Sequence, residues 1–380
     1  MKPGRTYLDW NATAPLRPEA REAMLAALDV VGNPSSVHAE GRRARRIIED
    51  AREQVAALVG ARSANVFFTS GATEGNNWVH GQPWRAVFYS GVEHVSVLAP
   101  VLASDGEKVS LPVRSDGMID VEALKQAIVA RSAVWQASER PALLTVQAAN
   151  NETGVIQPLS AVADLARGRP ILVACDGVQA AGRLPIKFIG SNLHYLTISS
   201  HKLGGPKGVG AVIMQPDAPL APMLTGGGQE RRQRPGTENV AAIAGFGAAA
   251  QAAAREVSEA GRTARLRDRL EADVLEAVPG ALIVGRSSPR LANTSCISLP
   301  SRSAETLVAG FDLAGIAVSA GSACSSGKVS TSHVLEAMGL PPHIVRSAIR
   351  ISIGPTTTGG DIAAFIAALR NIARRVVQAA

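Results

Sequence analysis

Between about residues 65 and 213, short runs of apolar and β-branched residues alternate with longer segments of helical periodicity. The spacing predicts strands over 66–69, 86–89, 143–147, 171–174, 195–198 and 210–213. Helices are predicted to start near Thr73, His94, Asp120 and Leu159. Strands alternating with helices imply an α/β architecture, a largely parallel sheet covered on both faces. Ligands of such sheets sit outside the carboxyl ends of the strands. Residues 238–278, rich in Ala, Arg and Glu, read as one long helical stretch. The pattern then restarts, with strands near 281–284 and 294–299 and helices near 304–313 and 361–377. A second, smaller domain is expected there, with a boundary near 250–260. No fixed period recurs, which excludes a solenoid.

Composition narrows the class. A chain of 380 residues with 46% hydrophobic and 19% charged residues can bury a large core, so wholesale disorder is excluded. No apolar run reaches the ~18 residues of a membrane-crossing helix. Residues 1–10 contain no apolar signal region, so a cytoplasmic location is expected. The net charge of +7 comes from 32 Arg and 7 Lys against 32 acidic residues. Arg42, Arg43, Arg45 and Arg46 read as the solvated face of a helix. At 4% aromatic residues there is no stacking platform for nucleic acid, and no nucleic-acid partner is expected. Three cysteines, Cys175, Cys296 and Cys324, are too few and too scattered for a disulfide framework or a zinc ribbon. No metal is expected.

Four segments could carry chemistry. Ser199-Ser200-His201-Lys202 ends a predicted strand and leads into a Gly-rich turn, Gly204-Gly205-Pro206-Lys207-Gly208. A lysine there points toward the ligand crevice; a solvated turn lysine is the plain alternative. Ser70-Gly71-Ala72-Thr73-Glu74 joins a strand to a helix, where small residues let backbone N–H groups approach an anion. An ordinary N-cap by Thr73 would look the same. Asp176, at the end of an apolar strand, needs a partner, either a cationic ring nitrogen or an arginine. Cys324 sits in a Gly/Ser segment running from about Ser319 to Ser330, expected to be mobile and a good place for a thiol that must reach a substrate.

In order along the chain, these segments resemble the NifS/IscS-like cysteine desulfurases of the class V aminotransferase group. The likeness extends through Tyr7-Leu8-Asp9-Trp10-Asn11-Ala12-Thr13, Gly32-Asn33-Pro34-Ser35-Ser36, Glu93-His94, Asn150-Asn151-Glu152-Thr153-Gly154, Arg234-Pro235-Gly236-Thr237-Glu238-Asn239 and Arg350-Ile351-Ser352-Ile353-Gly354. It implies a fold type I pyridoxal 5'-phosphate (PLP) enzyme. Its large domain, 15–255, would hold a mainly parallel seven-stranded sheet. A smaller α+β domain, 1–14 with 256–380, would carry the Cys324 loop and Arg350.

The resemblance also implies roles. Lys202 would anchor PLP covalently and move the Cα proton. Asp176 would pair with the ring nitrogen, Gln179 with the ring hydroxyl, and His94 would stack on the ring and shuttle a proton at the substrate thiol. Ala72, Thr73, Ser199 and His201 would hold the phosphate, joined by Thr237 from the other subunit of a homodimer. Arg350 would clamp the carboxylate of L-cysteine, assisted by Asn33 and Asn151; turn-forming Asn is the plain alternative for both. Cys324 would take the sulfur as a persulfide and pass it to an acceptor, such as an iron–sulfur scaffold protein. A selenocysteine lyase or a class V aminotransferase on the same fold is the alternative, and transamination needs no protein thiol. A carrier protein without catalysis is a further one, disfavoured by Lys202, Asp176 and Arg350. The chain departs from the common pattern at Ala174, Trp10 and Pro235, where His, Asn and Ser are frequent.

Overall fold

A computed structural model describes residues 4–135, 140–299, 302–321 and 331–377. Cys324 lies outside the described residues. The central sheet has seven strands, in the order Val66–Thr69, Gly210–Met214, Tyr195–Ser199, Ile171–Asp176, Ala142–Gln147, Ala86–Ser90 and Glu107–Leu111. Six run in one direction, and Gly210–Met214 is antiparallel to both its neighbours. All six strands expected from the sequence are present. The seventh, Glu107–Leu111, escaped because it is an edge strand with three exposed positions in five and lacks an apolar run.

Successive strand side chains point to opposite faces, and both faces are dry. Phe68, Phe88 and Leu144 enter one hydrophobic cluster with Ile48, Val55 and Phe246 from covering helices. Their chain neighbours Phe67, Val87 and Leu143 enter another with Trp78, Val97 and Val101. A parallel sheet needs this double cover.

A second, four-stranded antiparallel sheet has the order Ser319–Ala320, Ala348–Ser352, Thr294–Ser298 and Leu282–Val284. Its core joins Ile297, Ile349 and Ile351 with Leu270, Phe311 and Phe365 of surrounding helices. Leu8 belongs to this core, and Thr6–Tyr7 pairs with Ile316–Ala317.

Two expectations are corrected. The stretch 238–278 is two helices, Val240–Glu256 and Ala260–Ala277, joined by a 3-10 turn at Val257–Glu259. The first presents Phe246, Ala249 and Ala253 to the large-sheet core, the second Leu270 and Val274 to the small-sheet core; one straight rod could not face both. The expected mobile stretch also begins too early, since Ser319–Ala320 pairs with Arg350 and Ile349.

Gly354 marks a close approach between the N-terminal segment and the small sheet. A Cβ there would meet the Trp10 ring at 2.1 Å, so the indole lies flat against the backbone just beyond the strand that carries Arg350.

Candidate active site

A cavity of about 620 Å³ opens at the carboxyl ends of the parallel strands. Three of its lining residues, Gln147, Asp176 and Ser199, are the last residues of their strands. His94 is the N-cap of the Val95–Ala103 helix, and Lys202 closes a 3-10 turn directly after Ser199. Arg350 reaches the same cavity from the middle of the Ala348–Ser352 strand in the second sheet. Residues distant in the chain thus converge through topology.

Asp176 is 8% exposed. Its Oδ1 accepts from the Val178 backbone N–H at 3.0 Å, and its Oδ2 accepts from Asn76 Nδ2 at 3.0 Å. Lys202 Nζ donates to the Asn11 and Ala12 carbonyls at 2.5 and 2.9 Å. Gln179 Nε2 donates to the Asn11 carbonyl at 3.1 Å, while its Oε1 accepts from the half-buried Arg183. Ala72 and Thr73 form the first turn of the Ala72–His80 helix, whose N-cap, Gly71, offers no side-chain acceptor to the first N–H groups. Ser199, His201 and Lys207 line the same cavity.

Arg350 is buried, at 3% exposure. Its Nη2 donates to Asp9 Oδ1 at 2.8 Å and its Nη1 to the Asn151 carbonyl at 3.1 Å, while its Nε has no partner among the described residues. Asp9 Oδ2 in turn accepts from Ser319 Oγ at 2.8 Å.

Burial sets the charge states. It pushes His94 down, opposed by Asp176 and reinforced by Lys202 and His333. It pushes His201 down to about 4, with help from Lys202 and Lys207; a neutral imidazole still donates one hydrogen bond. Glu93, behind the site, is raised to about 8 by burial, and Glu152, which accepts from Ser332 Oγ, to about 7. Cys175 and Cys296 are buried strand residues whose thiols burial pushes far up, Cys296 to about 12. Neither is a thiolate near neutral pH, in keeping with the expectation that both are inert.

Of the residues anticipated from the sequence, Ala72, Thr73, His94, Asn151, Asp176, Gln179, Ser199, His201, Lys202 and Arg350 line this one cavity. Asn33 does not. It is exposed, and its Oδ1 accepts from the Ser35 backbone N–H at 2.9 Å, the turn-forming arrangement. Thr237 is exposed and also outside this cavity.

The class V aminotransferase family model matches residues 6–365. A cysteine desulfurase of Cereibacter sphaeroides is 40% identical over 370 residues, covering 94% of this chain and 93% of that protein. The chain belongs to the cysteine desulfurases of the class V aminotransferase family. Among solved structures, a NifS-like protein from Rickettsia africae superposes with a TM-score of 0.88 at 35% identity, covering 97% of this chain and 99% of that one. SspA, solved in complex with cysteine, superposes with a TM-score of 0.78 at 27% identity, covering 93% and 100%.

Cysteine desulfurases of this family depend on PLP, and the donors present fit it. The cavity offers a buried carboxylate, Asp176, the complement of a cationic ring nitrogen. It also offers a helix N-terminus without a side-chain cap, together with Ser199, His201 and Lys207, the complement of a phosphate. Lys202 also lines the cavity.

Sequence reasoning missed Asp9, Asn11, Asn76 and Ser96. Asp9 and Asn11 stand in the N-terminal motif, but their partners are Arg350 and Lys202, which no local spacing could reveal.

Proposed function

We propose that this chain converts L-cysteine to L-alanine and leaves the sulfur as a persulfide on Cys324. The observation that carries this reading is the convergence of Lys202, Asp176, His94 and Arg350 on one cavity. When bound, PLP supplies an electron sink that labilises the Cα proton of an amino acid. Asp176 would pair with the ring nitrogen and favour its protonated form. Arg350 takes the substrate carboxylate through its forked guanidinium. Lys202 Nζ would anchor the cofactor, and would take the proton from Cα and return it there in the product. His94 serves the substrate sulfur. Cys324 Sγ, as the thiolate, attacks that sulfur as the Cβ–S bond breaks; the bond's electron pair goes to Cβ, which takes up one proton in place of the one the Cys324 thiol gave up, and the sulfur leaves as Cys–S–SH.

The same reading makes residues 15–255 the large PLP-binding domain, and 1–14 with 256–380 the small domain that carries the Cys324 loop and Arg350. The packing of Leu8 with Leu270 and Phe311 supports that division. It also makes the protein a cytoplasmic homodimer that delivers sulfur to an acceptor such as an iron–sulfur scaffold, with Thr237 acting at the partner's cavity. Among the described residues no helix is long and apolar enough to cross a membrane.

The test is to incubate the PLP-loaded protein with L-cysteine. Alanine and sulfide should form in equal amounts under a reductant. After one turnover without reductant, mass spectrometry should find the added sulfur on the Cys324 peptide. Sulfur on Cys175 or Cys296, or undiminished alanine release by Cys324→Ala, overturns the assignment.

A further inference from the structure

We propose that Asn76 and Ser96 are positioning residues that hold His94 as its neutral Nε2–H tautomer and tie its ring to the Asp176 carboxylate. The inference rests on the desulfurase reading only for what His94 then does. The link itself is geometric.

Asn76 is 1% exposed. Its Nδ2 carries two hydrogens and has two acceptors, Asp176 Oδ2 at 3.0 Å and Ser96 Oγ at 2.9 Å. Its backbone carbonyl accepts from His80 Nδ1 at 2.7 Å, and His80 Nε2 meets Thr145 Oγ1 at 2.8 Å, so the residue is fixed from a further side. An amide nitrogen only donates. Ser96 Oγ therefore accepts from Asn76, and its own hydrogen is left for His94 Nδ1, 2.8 Å away.

A second donor reaches the same ring nitrogen. The Ser96 backbone N–H points at His94 Nδ1 at 3.1 Å, as the cap of the Val95–Ala103 helix. A nitrogen that accepts from a backbone N–H carries no proton of its own. The ring hydrogen is on Nε2, and Nδ1 stays closed as long as the cap holds. Burial, which disfavours the imidazolium, acts in the same direction.

His94 therefore enters the reaction as a hydrogen-bond donor to the substrate sulfur, and it is not the base that ionises Cys324. The chain from Asp176 through Asn76 and Ser96 also fixes the ring relative to the carboxylate that pairs with the cofactor. A two-residue connection made by an amide and a hydroxyl adds no charge to the site.

The decisive measurement is nitrogen NMR of the PLP-loaded protein with 15N-labelled histidine. The chain has seven histidines, and a His94→Gln spectrum identifies the pair from His94. The expected result is a protonated Nε2 and an unprotonated Nδ1. Asn76→Ala does not touch His94 yet should shift its resonances, as should Ser96→Ala. Ser96→Ala should also lower kcat about tenfold, the worth of one hydrogen bond, with KM held within about twofold. Ser96→Thr, which keeps the hydroxyl, should restore both. An Nδ1-protonated ring, a rapidly exchanging mixture of tautomers, or His94 resonances unmoved in both alanine variants overturns the proposal. Absence of alanine production alongside the expected tautomer would instead overturn the desulfurase reading and leave the positioning role standing.

Discussion

Asp9 shows how one side chain at the start of the chain governs chemistry at its end. A buried guanidinium without a counter-charge is costly, and Asp9 supplies that charge to Arg350 through a 2.8 Å hydrogen bond. Arg350 Nε has no hydrogen-bond partner among the described residues, which leaves the group only partly satisfied by them. Asp9→Asn should therefore destabilise the protein by about 2 kcal/mol, below the range for a fully buried pair because the Asp9 side chain is 17% exposed. L-cysteine should then raise the melting temperature more in the variant than in the wild type, since its carboxylate restores the missing negative charge. Differential scanning calorimetry with and without L-cysteine decides this. An equal or smaller ligand-induced rise in Asp9→Asn would mean Asp9 is not the counter-ion. At this scale Lys202, Asp176, His94 and Arg350 were legible from residue type and motif order. Asp9, Asn76 and Ser96 were not recognised, because ordinary polar residues acquire a role only through the partner they meet.

Among the elements, the Ala39–Leu58 helix does more than cover the sheet. Arg52, on its buried face, makes a two-pronged ion pair with Glu230 at 2.7 and 2.8 Å, and its guanidinium lies 4.8 Å from the Phe68 ring centre. Glu230 also accepts from the Phe68 backbone N–H at 2.8 Å. One carboxylate thus fastens the 226–239 segment to both a helix and an edge strand of the main sheet. The fastening holds an unfavourable backbone, for Glu230, Arg231 and Arg232 all have positive φ, at 45°, 55° and 68°. Left-handed conformations of this kind persist where the surroundings over-determine them. Glu230→Ala leaves the buried Arg52 with only the more exposed Glu49, 3.1 Å from its Nε, as counter-charge and should cost about 3 kcal/mol, visible as a lower urea midpoint. It should also loosen the segment that carries Thr237, and limited proteolysis should then cut within 226–239. A variant as stable as the wild type, with that segment intact, would remove Glu230 from this role. The strands and helices themselves followed from periodicity. The edge strand Glu107–Leu111 and the break at Val257–Glu259 did not, since each is set by a neighbour and not by a local pattern.

For the molecule as a whole, the exposed Thr237 gives the proposed dimer a sharp test. Thr237→Glu, which places negative charge opposite the partner's phosphate site, should inactivate the enzyme, as should Lys202→Ala. Dimers reassembled from a mixture of the two inactive proteins should regain activity, because one cavity in each mixed dimer then has both Lys202 and an intact Thr237. Failure of mixed dimers to regain activity, with subunit exchange shown by mass spectrometry, would mean the sites are not shared. The sequence by itself determined the alternation of strands and helices, the family and its cofactor, and ten of the residues that line the cavity. These follow from local periodicity and ordered motifs, which act over a few neighbouring positions. Only the tertiary structure decided that Leu8 packs with the C-terminal core, that Asp9 answers Arg350, and that Asn76 and Ser96 join Asp176 to His94. Those pairings bring together distant parts of one chain, and their geometry exists only once two sheets and their covering helices have closed on each other.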